Sequence, residues 1–151
     1  MQDWIKLLGT QEEPYTQAAH TLRDHGVVLF RQKRVAVKRG DRMFLYVILP
    51  RGNAFIGLST AIGRPAPHHG DPRWPTEVRV IPNLTVFALE AAVPARSVMP
   101  LPGGVTAAVL RRRSHVRIPP EAAARLLAVL RDAVAAELEG RATLLPGGYG
   151  A

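Results

Sequence analysis

The chain has 151 residues, 47% of them hydrophobic, which is enough apolar material for one hydrophobic core of ordinary size. It contains no cysteine, and this excludes disulfides, thiolate metal sites and cysteine nucleophiles. No apolar run approaches the ~18 residues of a membrane span, and the first residues do not join a basic start to a long apolar stretch. We therefore expect a cytoplasmic protein that makes no use of a membrane.

The charge of the chain is strongly positive and unevenly distributed. Twenty Lys and Arg against twelve Asp and Glu give a net charge of +8, yet acidic residues outnumber basic ones between residues 121 and 139. The positive charge therefore belongs to the part of the chain before the last predicted helix. Such an excess favours a polyanionic partner, because basic side chains that neutralise phosphates release counterions. The alternative is a GC-rich genome, whose codons raise the arginine content without any function.

The first half of the chain predicts short strands separated by turns. YTQAAHTLRDHG, residues 15–26, places apolar residues at helical spacing before a glycine that ends the helix. KRGDR and PRGN predict turns, and the runs on either side of PRGN predict a hairpin. Strands are predicted at residues 3–8, 27–37, 43–49 and 54–63.

The second half predicts a long connection, another strand and a helix. RPAPHHGDPRWP, residues 64–75, has no periodicity, whereas TEVRVIPNLTVFAL beyond it begins with strand alternation, with Pro82 at an edge or a break. VPARSVMPLPGG predicts a surface loop. The final helix starts after two prolines. Its apolar stripe contains Ala123, Leu126, Leu127, Leu130, Val134 and Leu138.

These elements predict an α+β fold in one domain over residues 1–140, followed by a Gly-rich tail over residues 141–151. Its centre is a curved sheet or small barrel of about five or six strands, because the strands lie too close together for helical crossovers. A short N-terminal helix and a long amphipathic C-terminal helix lie outside the sheet.

Catalytic and metal-binding patterns are weak. No serine lies in a G-x-S-x-G elbow, no phosphate-binding glycine loop is present, and paired carboxylates are scarce. His68, His69 and Asp71 imitate part of a metal site, but adjacent histidines usually point to opposite sides. We therefore expect no enzymatic activity, no metal and no cofactor.

Aromatic and basic residues form the more informative pattern. Trp4, Tyr46 and Trp74 offer flat faces, and single bases are recognised by stacking on such faces. Trp74 stands outside any periodic run. Phenylalanines inside apolar strands, at 30, 44, 55 and 87, are expected in the core. The basic residues that could surround a base pocket are Arg31, Lys33, Arg34, Lys38, Arg39, Arg111, Arg112 and Arg113.

Four segments, taken in order, resemble the EVE domain of the PUA-like superfamily. They are KRGDRMFLYV, AFIGLSTAIG, DPRWP leading into EVRV, and RRRSHVRIPPEAAARLL, and they cover roughly residues 38 to 130. The related ASCH domain also carries a Gly-Asp turn before a strand. The resemblance implies a PUA-like pseudobarrel whose cavity binds a nucleobase, often a modified one such as a methylated base, in DNA or RNA.

Position by position, the resemblance assigns roles to particular side chains. Tyr46 would line the pocket, Trp74 would stack on the base, and Arg113 with Ser114 would lie near the pocket mouth or a phosphate. Trp4 takes the place of an aromatic in the first strand. The predicted base pocket is thus Trp74, Tyr46, Trp4 and Ser114, and the predicted phosphate contacts are Arg111, Arg112, Arg113, Arg34, Lys38 and Arg39.

Other functions remain open at this point. A small-molecule or protein interaction domain would explain the fold without any nucleic acid. An enzyme acting on nucleic acid would need an acid or base, and Asp71 and Glu77 are the nearby candidates. A reader of this size would ordinarily act with a partner nuclease or modification enzyme.

Overall fold

Eight β-strands and three α-helices run through residues 1–21 and 26–144, the part of the chain that the computed structural model describes. The strands are β1 (Asp3–Leu8), β2 (Val27–Phe30), β3 (Arg42–Val47), β4 (Ala54–Ala61), β5 (Ala66–Pro67), β6 (Thr76–Thr85), β7 (Val93–Pro94) and β8 (His115–Ile118). The helices are α1 (Gln17–Thr21), α2 (Ala107–Arg111) and α3 (Pro120–Leu144).

The strands form a mixed sheet in the order β2-β6-β4-β3-β1-β8, with β5 beside β6 and β7 beside β4. β1 and β3 are parallel, and the predicted β3–β4 hairpin is antiparallel. The sheet curls into a half-barrel, and α3 packs beside it. The predicted α+β class with a curved sheet and a long C-terminal helix is therefore confirmed.

Strand alternation divides the core between the two faces of the sheet. On β3, Phe44 and Tyr46 pack in the cluster that includes Leu126 and Leu130 of α3. Leu45 and the β3 residues two positions before and after it point to the other face, where a second cluster fills the inside of the half-barrel. We call these the helix-side core and the inner core.

Helix α3 is longer than the sequence predicts and buries only part of its predicted stripe. Ala123, Leu126 and Leu130 are buried, but Leu138 is 58% exposed. Ala133 and Val134 are the last helix residues that pack against either core, so Leu138 lies beyond the sheet. Residues 141–144 of the predicted tail continue the helix. Residues 145–151 lie outside the described part of the chain, as do residues 22–25 of the predicted first helix.

The predicted surface loop after residue 92 is instead part of the core. Val93 and Pro94 form β7 beside β4. Buried side chains follow at Ala95, Val98 and Leu101. Proline prevents regular pairing but does not prevent burial, and this segment covers the helix-side core from the edge of the sheet.

Phe87 also departs from the prediction of a core residue, because it is 60% exposed. β6 ends at Thr85, and the strand alternation that would bury residue 87 ends with it. The backbone N–H groups of Phe87 and Ala88 donate to the Glu137 carboxylate, at 2.6 and 2.7 Å. α3 thereby holds the chain where it leaves the sheet.

Candidate functional site

An open cleft of about 840 Å³ lies at the end of the sheet where β1 and β3 finish and β8 begins. Its wall carries five cationic side chains and one carboxylate, an imbalance that favours an anionic ligand. We call it the basic cleft. The residues of its wall with side chains suited to recognition are Lys6, Glu12, Arg31, Gln32, Asn53, Trp74, Arg111, Arg112, Arg113 and Ser114.

Trp74 enters the cleft from a turn that is ordered before any ligand binds. Its backbone N–H donates to the Asp71 carbonyl at 2.9 Å, while the Asp71 carboxylate accepts from the backbone N–H and the guanidinium of Arg73. These bonds from Arg73 hold the pKa of Asp71 below its usual value. Pro72 and Pro75 restrict the backbone further. The turn therefore presents the indole with little freedom left to lose on binding.

Two cationic side chains lie over the Trp74 ring. The Arg31 guanidinium lies with Cζ 5.1 Å from the ring centroid, and the Lys6 amine lies 5.9 Å from it. Both distances are within the range of a cation–π contact. The flat guanidinium occupies space on its face of the ring, so a planar ligand that stacks on that face must displace Arg31, whose side chain is exposed.

Lys6 forms the floor of the cleft and is 1% exposed. Alternation along β1 turns Lys6 to the same face as Trp4, toward the inner core. Its Nζ lies 4.7 Å from the centroid of the Phe30 ring and donates to the Leu7 carbonyl at 2.8 Å. Burial, and secondarily the charge of Arg31, lowers the pKa of Lys6 to about 7. An amine of this kind is half protonated near neutral pH.

A short polar chain joins the loop after β2 to the start of β8. The Ser114 hydroxyl lies 2.7 Å from Gln32 Oε1 and 2.8 Å from His115 Nδ1. The hydroxyl has one proton, and Gln32 Oε1 can only accept, so His115 must donate from Nδ1. Burial, followed by the charge of Lys6, lowers the pKa of His115 below its usual value. Thr76 Oγ1 also donates to the Gln32 carbonyl, at 2.6 Å, and fixes the loop that carries Arg31.

Trp4 has a structural position that differs from the predicted pocket role. It is 6% exposed and its Nε1 donates to Asp41 Oδ2 at 3.0 Å. The Asp41 carboxylate also accepts from the backbone N–H groups of Gln2 and Lys38, each at 2.9 Å. Burial alone would raise the pKa of Asp41, but these three hydrogen bonds outweigh it and lower the pKa. The Gly-Asp turn thus ties the start of β1 to the start of β3.

Tyr46 also lies outside the wall of the basic cleft. It faces the helix-side core, where its ring meets Phe55 edge-on at 5.0 Å between centroids. It borders a neighbouring, more apolar cleft of about 690 Å³ that shares Asn53 and Arg111 with the basic cleft. The alternation of β3 predicts that Phe44 and Tyr46 share a face, but it does not say which face the cleft occupies.

The predicted phosphate contacts divide by position. Arg111, Arg112 and Arg113 are exposed on the wall of the basic cleft. Lys38 and Arg39 precede β3, whereas the cleft follows its end; at ~3.3 Å per residue, the strand separates them from the cleft by roughly 20 Å. Arg34 is exposed in the loop after β2 and is not part of the cleft wall.

The structure therefore brings together Trp74, Ser114 and the three consecutive arginines, with Arg31 beside them. Sequence reasoning missed Lys6, the residue at the floor. A signal was present, since a lysine in the apolar strand DWIKLL alternates with a tryptophan. The two acids considered for catalysis are engaged elsewhere, Asp71 with Arg73 and Glu77 with His68 at 3.2 Å.

Comparison with known proteins gives a clear answer for the fold. The sequence matches no protein-family model, and no curated protein is significantly similar to it. Among solved structures, Rpa0253 from Rhodopseudomonas palustris is 16% identical with a TM-score of 0.59, over 87% of this chain and 94% of that one. The Mmi1 YTH domain, solved in complex with RNA, is 13% identical with a TM-score of 0.59, over 89% of this chain and 80% of that one.

A third similar structure is the DUF55 domain of human thymocyte nuclear protein 1. It is 15% identical with a TM-score of 0.55, over 84% of this chain and 97% of that one. At these identities the similarity establishes the fold alone, and the chain has a PUA-like fold, as its motifs predict. None of the described helices combines the length and apolar character that crossing a membrane requires.

Proposed function

We propose that this protein binds single-stranded or locally unpaired nucleic acid in the basic cleft. One nucleobase stacks on Trp74, and the phosphates on either side of it contact Arg111, Arg112 and Arg113. The observation that carries the proposal is that an ordered tryptophan and five cationic side chains share one cleft. Cations that track a backbone, combined with an aromatic platform, are the usual means of binding single strands.

The energies involved are adequate for such recognition. Taking a base out of a duplex costs a few kcal/mol, and stacking on an aromatic side chain returns ~1–3 kcal/mol per base. Arg31 must leave the face of Trp74 when the base enters. Because its guanidinium is exposed, Arg31 can turn toward a phosphate and keep its charge in the complex.

The comparisons favour RNA as the first ligand to test. A similar fold, the Mmi1 YTH domain, was solved in complex with RNA. The order of motifs resembles the EVE domain and extends the proposal to a modified base. A partner nuclease or modification enzyme would supply any chemistry on the bound strand.

Fluorescence anisotropy of short labelled single strands, RNA and DNA, tests the proposal. Trp74→Ala is expected to weaken binding by about tenfold to a hundredfold, because it removes the stacking surface. Phe87→Ala is the matched control, since it removes an exposed aromatic outside the cleft wall. Unchanged affinity in a folded Trp74→Ala protein would reject base stacking. No binding to any strand would favour the small-molecule or protein interaction domain.

A methylated base tests the finer part of the proposal. One buried methyl carbon contributes ~0.8 kcal/mol, so a strand with one methylated cytosine or adenine should bind about fourfold more tightly than its unmodified counterpart. Trp74→Ala should abolish that difference. Equal affinity of the wild type for both strands would remove modified-base recognition and leave the nucleic-acid proposal intact.

A further inference from the structure

Lys6 is a buried cation with N–H donors that the described chain does not pair with an acceptor. Within the described chain its Nζ donates one hydrogen bond, to the Leu7 carbonyl, although an ammonium group carries three N–H donors. The centroids of the Phe30 and Trp74 rings lie 4.7 and 5.9 Å from Nζ. A buried donor without acceptors is unfavourable, so this amine is suited to a ligand that brings acceptors to the floor of the basic cleft.

We propose that Lys6 determines base specificity by donating to the O6 and N7 acceptors of a guanine that stacks on Trp74. This inference rests on the proposed function, since it names the base which that site prefers. Lysine contacts to O6 and N7 are common in the recognition of guanine.

Depth within the cleft supports the choice of guanine. Arg111, Arg112 and Arg113 are exposed, whereas Lys6 is fully buried. When the phosphates beside a base contact the arginines, the edge of the base that lies far from its sugar therefore faces Lys6. That edge carries O6 beside N7 in guanine and O4 in uracil. In adenine it carries an amino group beside N7, and in cytosine an amino group alone, and an amino group repels an ammonium donor. The expected order of affinity is guanine, then uracil, then adenine and cytosine.

Distance supports the same arrangement. Stacked aromatic rings have centroids roughly 4.5–7 Å apart, and Nζ lies 5.9 Å from the centroid of the Trp74 ring. A base stacked on the same face of Trp74 would therefore lie next to the amine. Arg31, which covers the same ring, is exposed and free to move aside, whereas Lys6 is fixed in β1 by strand pairing on both sides.

The electrostatic surroundings add a dependence on pH. The charged and titratable groups that face Lys6 are Arg31 after β2, His115 on β8, and Glu12 with the three arginines of the cleft wall. Burial and Arg31 lower the pKa of Lys6 to about 7 in the free protein. Guanine acceptors favour the ammonium form, so binding raises this pKa, and affinity for guanine falls as the pH rises above about 7.

Five-nucleotide RNA strands that differ only in the central base test the inference. Wild-type protein should bind the guanine strand about tenfold more tightly than the adenine and cytosine strands. Inosine, which keeps O6 and N7, should match guanine, and 7-deazaguanine should bind several-fold more weakly. Lys6→Met should bind all these strands within about twofold of one another, with no dependence on pH between 6 and 9. Lys38→Met, which removes a lysine from the far end of the sheet, should keep the preference.

The outcomes separate this inference from the proposed function. Binding that needs Trp74 but does not distinguish the four bases would overturn the role of Lys6 and keep the nucleic-acid site. A guanine preference that persists in Lys6→Met would also overturn it. No binding of any strand would reject both. Circular dichroism melts of Lys6→Met establish that its loss of preference is measured on a folded protein.

Discussion

Asp41 and Lys6 are both buried, but their charges have different hydrogen-bonding partners. Three donors surround the Asp41 carboxylate, including the indole of Trp4, so its charge is compensated where it lies. The Lys6 amine has one acceptor and two aromatic rings around it. We expect the first residue to contribute to stability and the second to reduce it, as residues reserved for a ligand often do.

Asp41→Ala is expected to lower the free energy of unfolding by about 2–4 kcal/mol, because it leaves buried donors without acceptors. The lowered pKa of Asp41 means that its contribution is present above the unfolded pKa and is lost as the pH falls through the folded pKa. Urea unfolding at pH 7 and at pH 3 measures both effects. Asp41→Asn, the control of equal size, should lose less at pH 7, since an amide oxygen can still accept.

Lys6→Met is expected to stabilise the fold at neutral pH. The Lys6 pKa is 10.5 when unperturbed and about 7 in the folded protein, so between these values the unfolded chain binds more protons. Wild-type stability should therefore rise with pH over this window, by at most about 1.4 kcal/mol per pH unit. Denaturation between pH 7 and 10 should show a smaller slope for Lys6→Met. Equal slopes would mean that Lys6 titrates as an exposed lysine does.

The limits of sequence reasoning are visible in these residues. Trp74 could be predicted because it stands outside any periodic run, in a turn made by prolines and Asp71. Lys6 was missed, because lysines are almost always exposed and the pairing of β1 with strands on both sides, which buries this one, is not visible in the sequence. The burial of Trp4 could not be predicted, because a sequence shows an aromatic side chain but not its hydrogen-bond partner 37 residues away.

Among the elements, those defined by local signals were predicted and those defined by tertiary contacts were not. The β3–β4 hairpin and α3 follow from periodicity and turn residues along one stretch of chain. The parallel pairing of β1 with β3 joins residues far apart in sequence. The buried segment around Val93 depends on an exposed sheet edge that no local pattern reveals.

Gly57 tests the packing between β4 and β6. A Cβ at this position would lie 2.5 Å from the Leu84 carbonyl oxygen, a contact that backbone must move to relieve. Gly57→Ala is expected to lower the free energy of unfolding by about 1–3 kcal/mol, as overpacking does. Gly63→Ala is the matched control, because its nearest neighbour would be 3.7 Å away. Thermal melts of the two variants should differ, and equal melting temperatures would contradict the close approach.

At the scale of the whole molecule, five of the basic side chains share the basic cleft. Trp74, Lys6 and the arginines of the cleft lie at one end of the sheet, while Lys38 and Arg39 lie at the other. The net charge of +8 could be counted from the sequence, but the distribution of the charged side chains in space could be seen only in the fold.

Salt dependence measures which of these cations meet phosphates. Each phosphate contact to a single strand contributes ~0.7 to the slope of log affinity against log salt concentration. Arg112→Ala and Arg113→Ala should each reduce the slope by about that amount, without altering base preference. Arg39→Ala should leave the slope unchanged, because Arg39 lies at the far end. A slope near zero for the wild type would exclude phosphate contacts altogether.

The pairing of β1 with β8 has a consequence for the biosynthesis of the protein. Residues 3–6 pair with residues 115–118, so one edge of β1 stays unpaired until the segment that contains β8 has left the ribosome. Until then Lys6 also lacks its partner on the neighbouring strand, because that partner is His115 of β8. A nascent chain that stops before β8 exposes a free strand edge and an unburied amine, and it has no complete cleft with which to hold a ligand.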